Sequence, residues 1–369
     1  MADEMSGSIR TYFDEIDRNI ERSYEIANNA RKKGFDPEDK VDIPLAKGVS
    51  ERVERLIGSV APYIINIGIK ERIKELEQEY EPLDWRVAFK ISGEIVQEKF
   101  CKFKNDNEAM EIALRVGFAY LTLGVVSAPL EGFMGLKIKK RRDGKNYVSL
   151  FYSGPVRGAG GTAAAVSVIL GDYLRKIKGY SKYDPSDNEV KRYITEISDY
   201  HERVTNLQYL PNEKEIEFLV KRIPVEINGD PTEKFDVSNY KDLERIETNK
   251  IRGGICLVLA EGVAQKANKL LKRLEIWGKD FDLEWEFLKD FLDLQKKIKA
   301  KDETKEKKEY KILPDYTYIS DLVAGRPVLS YPLTSGGFRL RYGRCRVSGY
   351  SSKSISPNTM KVLDNFIAI

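Results

Sequence analysis

The sequence predicts an α+β chain of several domains, and three observations carry that prediction. Its 369 residues exceed what one hydrophobic core commonly organises. Its first part is dominated by apolar residues at helical spacing. Further along, strand-like runs close on turn signals at Asp143-Gly144 and at Asn228-Gly229-Asp230-Pro231, and a glycine turn with a helix follows each. The expected divisions are a helical region over 1–80, a mixed α/β region over 81–300 and a basic, strand-rich segment over 301–369.

Taken in order, residues 6–33 read as one helix with Ile9, Phe13, Ile16, Ile20 and Ile26 on its apolar side, stopped by Gly34 after Lys32 and Lys33. Ser50 is a candidate cap for a second helix, and "GIKERIKELEQEY" is a third, ended by Pro82. "LDWRVAFKISGEIVQEKF" is expected to be helical despite Gly93. "NDNEAMEIALRVGFAYLTLG" is expected to be helical with Asp106 or Asn107 as cap and Glu108 and Glu111 near the positive end of its dipole. "LEGFMGLKIKKRRDGKNYVSLFYSGP" is a hairpin. Its entry strand carries Lys137, Lys139, Lys140, Arg141 and Arg142, which fit a solvated edge or a contact with a phosphate backbone. Residues 191–204 and "EKEIEFLVKRI" are expected helices, with two short strands around the Asn228–Pro231 turn. An aromatic amphipathic helix, "FDLEWEFLKDFLDLQKKIKA", precedes the charged linker "KDETKEKKEYKI".

The totals exclude more than they assert. Hydrophobic residues make up 41% and charged residues 33%, and no apolar run is long enough to span a bilayer. "MADEMSGSIR" lacks the apolar stretch of a secretory signal. With 62 basic against 58 acidic residues, the net charge of +4 neither requires nor forbids a nucleic-acid surface. Cys101, Cys256 and Cys345 are far apart without a CxxC pair, so no zinc or disulfide framework follows, and a reducing, cytoplasmic setting fits. Cys256 reads as a buried small hydrophobe. The one histidine, His201, lies in a polar helical context that suits a packing or surface role better than a catalytic base.

Chemistry concentrates in "YSGPVRGAGGTAAAVSVILGDYLRK". Gly154, Gly158, Gly160 and Gly161 allow a sharp turn or close approach, and Thr162 is a candidate cap for a helix over 163–176. The N–H groups of such a turn receive anions, and the Arg157 fork matches phosphate. Neither the GxxxxGK[ST] nor the GxGxxG spacing is present, so phosphate binding and close helix packing both remain open. Arg252, Gly253 and Gly254 repeat the pattern before another apolar helix. Glu226, Asp230 and Glu233 flank a turn without a DxD pair and read as solvated turn residues rather than metal ligands. Near the end, Arg339, Arg341, Arg344 and Arg346 alternate among Phe338, Tyr342 and Tyr350, a pattern that fits a nucleic-acid groove or a domain contact. The closing "VLDNFIAI" reads as a strand, so the chain is expected to stop inside a domain.

Three long blocks, "FYSGPVRGAGGTAAAVSVILGDYLR", "PVEINGDPTEKFDVSNYKDLERIETNKIRGGICLVLAEG" and "AGRPVLSYPLTSGGFRLRYGR…NTMKVLDNFIAI", resemble the large subunit of the archaeal family-D DNA polymerases. The resemblance implies a KH-like α/β domain after the helical region and, at the end, the incomplete start of a double-psi β-barrel core. It implies template-directed addition of dNTPs to a primer 3′-hydroxyl, with Mg²⁺ held by aspartates of an "NADGD" type block. No such block occurs in this sequence, so no catalytic or metal residue is assigned here, and the chain alone is not expected to extend a primer. Implied partners are DNA primer–template, the rest of the large subunit and a small subunit bearing 3′–5′ exonuclease activity; a membrane is not among them. Phosphate contacts are expected at Arg157, Gly158, Gly160, Gly161, Thr162, Arg252, Gly253, Gly254, Arg326, Arg339, Arg341 and Arg344. The alternative is a non-catalytic nucleic-acid-binding or assembly module of a split polymerase.

Overall fold

A computed structural model describes residues 7–34, 46, 48–305, 322–323 and 326–327. The chain separates into two units, Met1–Lys47 and Gly48–Ile369. In the first, α1 (Gly7–Lys32) ends on Arg31 and Lys32, which complement the negative end of the helix dipole. Gly34 follows at φ +76°, a left-handed stop that glycine adopts without strain.

The second unit opens with four helices, α2 (Val49–Gly58), α3 (Ile69–Tyr80), α4 (Trp85–Val96) and α5 (Asp106–Leu121). Helix α2 packs on α5, and α3 packs on α4, so residues 48–80 share one core with α4 and α5. Two expected caps are corrected. Helix α2 begins after Gly48 with no side-chain cap, and Ser50 is buried in its first turn. In α5 the cap is Asn105, whose side chain accepts from the N–H of Glu108; Asp106 and Asn107 already lie within the helix.

The sheet has three strands in the order β1 (Phe133–Lys140), β2 (Asn146–Tyr152), β3 (Glu226–Gly229). Strands β1 and β2 pair antiparallel around the Asp143-Gly144 turn, with Gly144 at φ +81°. Strand β3 joins β2 in parallel, and such a pairing needs a long crossover. Helices α6 (Gly160–Ile177), α7 (Asp187–Arg203) and α8 (Glu213–Arg222) supply it. Reciprocal capping boxes start α7 (Ser186 with Glu189) and α8 (Asn212 with Glu215).

The second strand expected beyond the Asn228–Pro231 turn does not form. Residues 230–252 run irregularly, with one bridge between Asp236 and Lys250. Side chains satisfy the backbone that a ladder would have paired. Arg192 donates to the carbonyls of Tyr240, Thr248 and Lys250, and Asp199 accepts from the N–H of Ser238.

Helix α9 (Gly253–Cys256) runs through a π-helical stretch, Leu257–Ala264, into α10 (Gln265–Trp277). Helix α11 (Phe287–Lys305) follows, and β4 (Leu322–Val323) pairs antiparallel with β5 (Arg326–Pro327). Helix α6 is central. It packs on α4, α5, α10 and β2, and its Tyr173 joins Phe89 and Phe281 at ring separations of 5.6 and 5.4 Å. Among the described residues no helix is long and apolar enough to cross a membrane.

Candidate functional site

The first arginine–glycine turn stays open at its mouth. After β2, residues Gly154–Ala159 make a short 3-10 helix, and Gly160, at φ +75° with open space around it, turns the chain into α6. The helix begins at Gly160, earlier than expected, and no side chain caps it. Thr162 therefore sits inside the first turn rather than at the cap, where its Oγ1 accepts from Lys269 Nζ at 3.5 Å. Gly161 is fixed by contact, because a Cβ there would lie 2.2 Å from the carbonyl oxygen of Glu261. At Gly158 a Cβ would come within 2.9 Å of Ser127 Oγ.

Between α6 and the π-helical stretch lies a polar pocket of about 280 Å³, lined by Arg157, Gly160, Gly161, Gln208, Glu261 and Lys266 among others. Arg157 is about one-third exposed, and its Nη2 stands 3.5 Å from Glu261 Oε1. That carboxylate oxygen accepts a better hydrogen bond, 2.8 Å from the N–H of Gln208, and Arg157 Nη2 has no hydrogen-bond partner. The pocket thus combines the positive end of a helix dipole, a loosely held guanidinium and a lysine, with one internal carboxylate facing them.

The second turn is closed. Arg252 is fully buried. Its Nε and Nη2 reach Glu196 at 3.0 and 2.7 Å, its Nη1 donates to Asn228 Oδ1 at 2.6 Å, and its backbone N–H donates to Glu196 Oε1. Burial opposes the charge, yet Glu196 holds the guanidinium pKa above its ordinary value. The N–H of Gly253 donates to Thr232 Oγ1, and a Cβ on Gly254 would sit 2.4 Å from the carbonyl of Tyr152. Arg252, Gly253 and Gly254, where phosphate contacts were expected, are thus all buried in this structure. These residues lock α9 against the end of β2: Glu196 and Asn228 take three of the guanidinium's five N–H donors, and its burial keeps the rest from any ligand outside.

The acidic trio also separates. Glu226 is not a solvated turn residue: it is fully buried, with Lys139 Nζ at 3.1 Å and the Tyr147 hydroxyl donating at 3.3 Å. Burial, then this carboxylate, pushes the Tyr147 hydroxyl pKa well up. Asp230 is exposed, and Glu233 accepts from the Thr232 hydroxyl beside it. Among the described residues no group of three or more His, Cys, Asp or Glu is placed to hold a metal ion. The described residues therefore offer no carboxylate cluster that fits the Mg²⁺ of nucleotidyl transfer.

The basic hairpin is largely stapled to its neighbours. Lys139 reaches Glu226 and Glu247, Lys137 lies over the Phe151 ring, and Arg141 and Arg142 donate to the carbonyls of Lys182 and Asp184. Lys140 is exposed. His201 Nδ1 accepts from the N–H of Leu207 and closes the end of α7, and Cys256 is buried against the Glu196 carbonyl. Arg326 falls in β5, whereas Arg339, Arg341 and Arg344 lie outside the described residues.

Sequence reasoning missed Glu196, Asn228, Gln208, Glu261, Lys266 and Lys269. Two signals pointed to part of this set: a lone glutamate inside the apolar run "GGICLVLAEGV", and lysines three apart at 266, 269 and 272.

Residues 11–294 match the family described as DNA polymerase II large subunit DP2, N-terminal, and residues 304–369 match the central domain of the same subunit. The chain belongs to this family. The DNA polymerase II large subunit of Nanoarchaeum equitans is 47% identical over 97% of this chain and 31% of its own length. That of Methanosarcina barkeri is 45% identical over 98% of this chain and 30% of its own. That of Thermococcus kodakarensis is 40% identical over the whole chain and 22% of its own. The chain thus spans about a third or less of the length of these curated relatives of the large-subunit family. Arg157 and the mouth of α6 fall inside its N-terminal match.

Proposed function

We propose that this chain serves a replicative, template-directed DNA polymerase as scaffold and as a contact for DNA phosphates. The reaction is attack of a primer 3′-hydroxyl on the α-phosphate of a dNTP. The observation that carries the reading is the family match over residues 11–294. The geometry supports one place for the contact, the pocket at the mouth of α6, with Arg157 as the anion's fork and the backbone of residues 158–162 beside it. Arg326, Arg339, Arg341 and Arg344 belong to the same proposal as further phosphate contacts. So do the KH-like fold of the α/β region and the incomplete start of a double-psi β-barrel core at residues 301–369. Mg²⁺ is placed on carboxylates contributed by the rest of the large subunit. The remaining partners are the primer–template and a small subunit with 3′–5′ exonuclease activity, in a cytoplasmic setting.

The direct test titrates labelled primer–template with the chain at two salt concentrations. Affinity is expected to fall with salt, and R157A to weaken it about tenfold, the loss of one charge-assisted contact. With Mg²⁺ and dNTPs the chain alone is expected not to extend the primer, and the remainder of the large subunit to restore extension. Robust synthesis by the chain alone, or affinity indifferent to salt, overturns the proposal. A second reading, an assembly module without DNA contact, is favoured by the Glu261 carboxylate, which already faces Arg157. It predicts no binding in the same titration.

A further inference from the structure

We propose that a nucleic-acid backbone lies along one side of α10, running from the mouth of α6 toward Arg273. This rests on the polymerase reading above and adds the path of the strand. Between Glu261 and Glu275 the sequence carries Lys266, Lys269, Lys272 and Arg273 and no acidic residue. At 3.6 residues per turn Lys266, Lys269 and Arg273 share one narrow sector of the helix, with Lys272 flanking it. Ala267, Leu270, Leu274 and Trp277 are buried, which fixes the helix about its axis, and Lys269, Lys272 and Arg273 are exposed.

The head of the stripe is continuous with the pocket. Lys269 donates to Thr162 in the first turn of α6, and Lys266 Cε lies 3.1 Å from where a Cβ on Gly161 would stand. At its foot the Arg273 guanidinium rests over the Trp85 ring, 5.8 Å from its centroid. From Lys266 to Arg273 the helix rises about 10 Å, longer than a single phosphate group. A single bound phosphate would need only the pocket; a row of cations leading out of it suits a polyanion. The acidic groups that bound the stripe are Glu261 at the head, and Glu275 and Asp84, which feels the Arg273 charge, at the foot.

The test compares two triple variants of the full chain with the same charge change, K266Q/K269Q/R273Q on α10 and K289Q/K296Q/K297Q on α11. Binding of labelled primer–template is measured across a salt series. The α10 variant is expected to bind at least about tenfold more weakly and to lower the slope of log K against log salt by about two to three. Each single α10 change should lower it by about one, which keeps the test sharp if the triple variant folds poorly. The α11 variant is expected to shift binding far less. Equal behaviour of the two triples overturns the path, as does an equal loss of polyglutamate binding by the α10 variant, which would mark a site for acidic polypeptides. If R157A weakens DNA binding while the α10 changes do not, the path fails and the polymerase reading stands. If the unaltered chain shows no salt-dependent binding, both fail.

Discussion

The two arginine–glycine turns read alike in sequence and do opposite things. Around Arg157 the side chain keeps one-third of its surface, and its Nη2 meets its nearest carboxylate only at 3.5 Å. Around Arg252 it is fully enclosed and held by Glu196 and Asn228. The glycines divide in the same way. Gly254 is small because the Tyr152 backbone leaves no room, while Gly160 is glycine because its backbone is left-handed in open space. A motif of this kind specifies a tight entry to a helix, and its surroundings decide whether that entry is a wall or a mouth.

The sharpest way to break this contrast is to remove each arginine. R252A leaves the Glu196 carboxylate buried beside the Arg192 guanidinium, with a gap where its second cation stood, and is expected to cost about 3–5 kcal/mol in urea unfolding. A loss below about 1 kcal/mol would mean that the pocket relaxes and that Arg252 is not the lock. Next in size, G254A places a Cβ against the carbonyl of Tyr152 and is expected to cost about 1–3 kcal/mol in the same measurement. G160A meets no atom and bears only the strain of φ +75° and ψ 152°, a region almost confined to glycine, about 1–3 kcal/mol and expected below G254A. Reversal of that order would mean that backbone strain, and not contact, sets the glycines.

At the open turn, R157A is expected to cost clearly less stability than R252A, because the contact with Glu261 is long and Glu261 keeps its hydrogen bond from the Gln208 N–H. E261Q keeps the acceptor for Gln208 and removes the facing charge, so it should tighten DNA binding where R157A weakens it. Weaker binding by E261Q would show that the carboxylate orients Arg157 instead of competing with a phosphate.

The smallest effect concerns pH. Lys178 and then Tyr180, at 2.7 and 2.8 Å, hold the Asp106 carboxyl below the usual carboxylate range. A depressed folded pKa gives stability that is complete above the unfolded value of about 3.9 and fades as acid protonates the folded group. The difference in unfolding midpoint between the native chain and K178A should therefore shrink between pH 7 and pH 3. An unchanged difference would locate the effect of Lys178 in packing alone.

Much of the framework was legible in the residues. Gly34, Asp143-Gly144 and the periodicity of α1, α3, α5 and α6 act within a few residues of themselves, so local chemistry suffices to read them. The missed caps, Gly48 and Asn105, lie one or two residues from the expected ones, where several polar residues compete for the same N–H groups. The missing strand was not legible. It depends on Arg192 and Asp199 of α7 reaching backbone about 40 to 60 residues away. Glu226 misled for the same reason: next to a turn it looked solvated, and only Lys139 and Tyr147 across the sheet make its burial tolerable.

What the sequence settled by itself was the order and kind of most elements, the two tight helix entries and, through three long blocks, the family. Tertiary structure alone decided which arginine is available. A guanidinium's chemistry is the same wherever it stands, but its freedom to bind depends on whether distant partners such as Glu196 and Asn228 have already taken its donors, and those distances do not exist until the chain has folded.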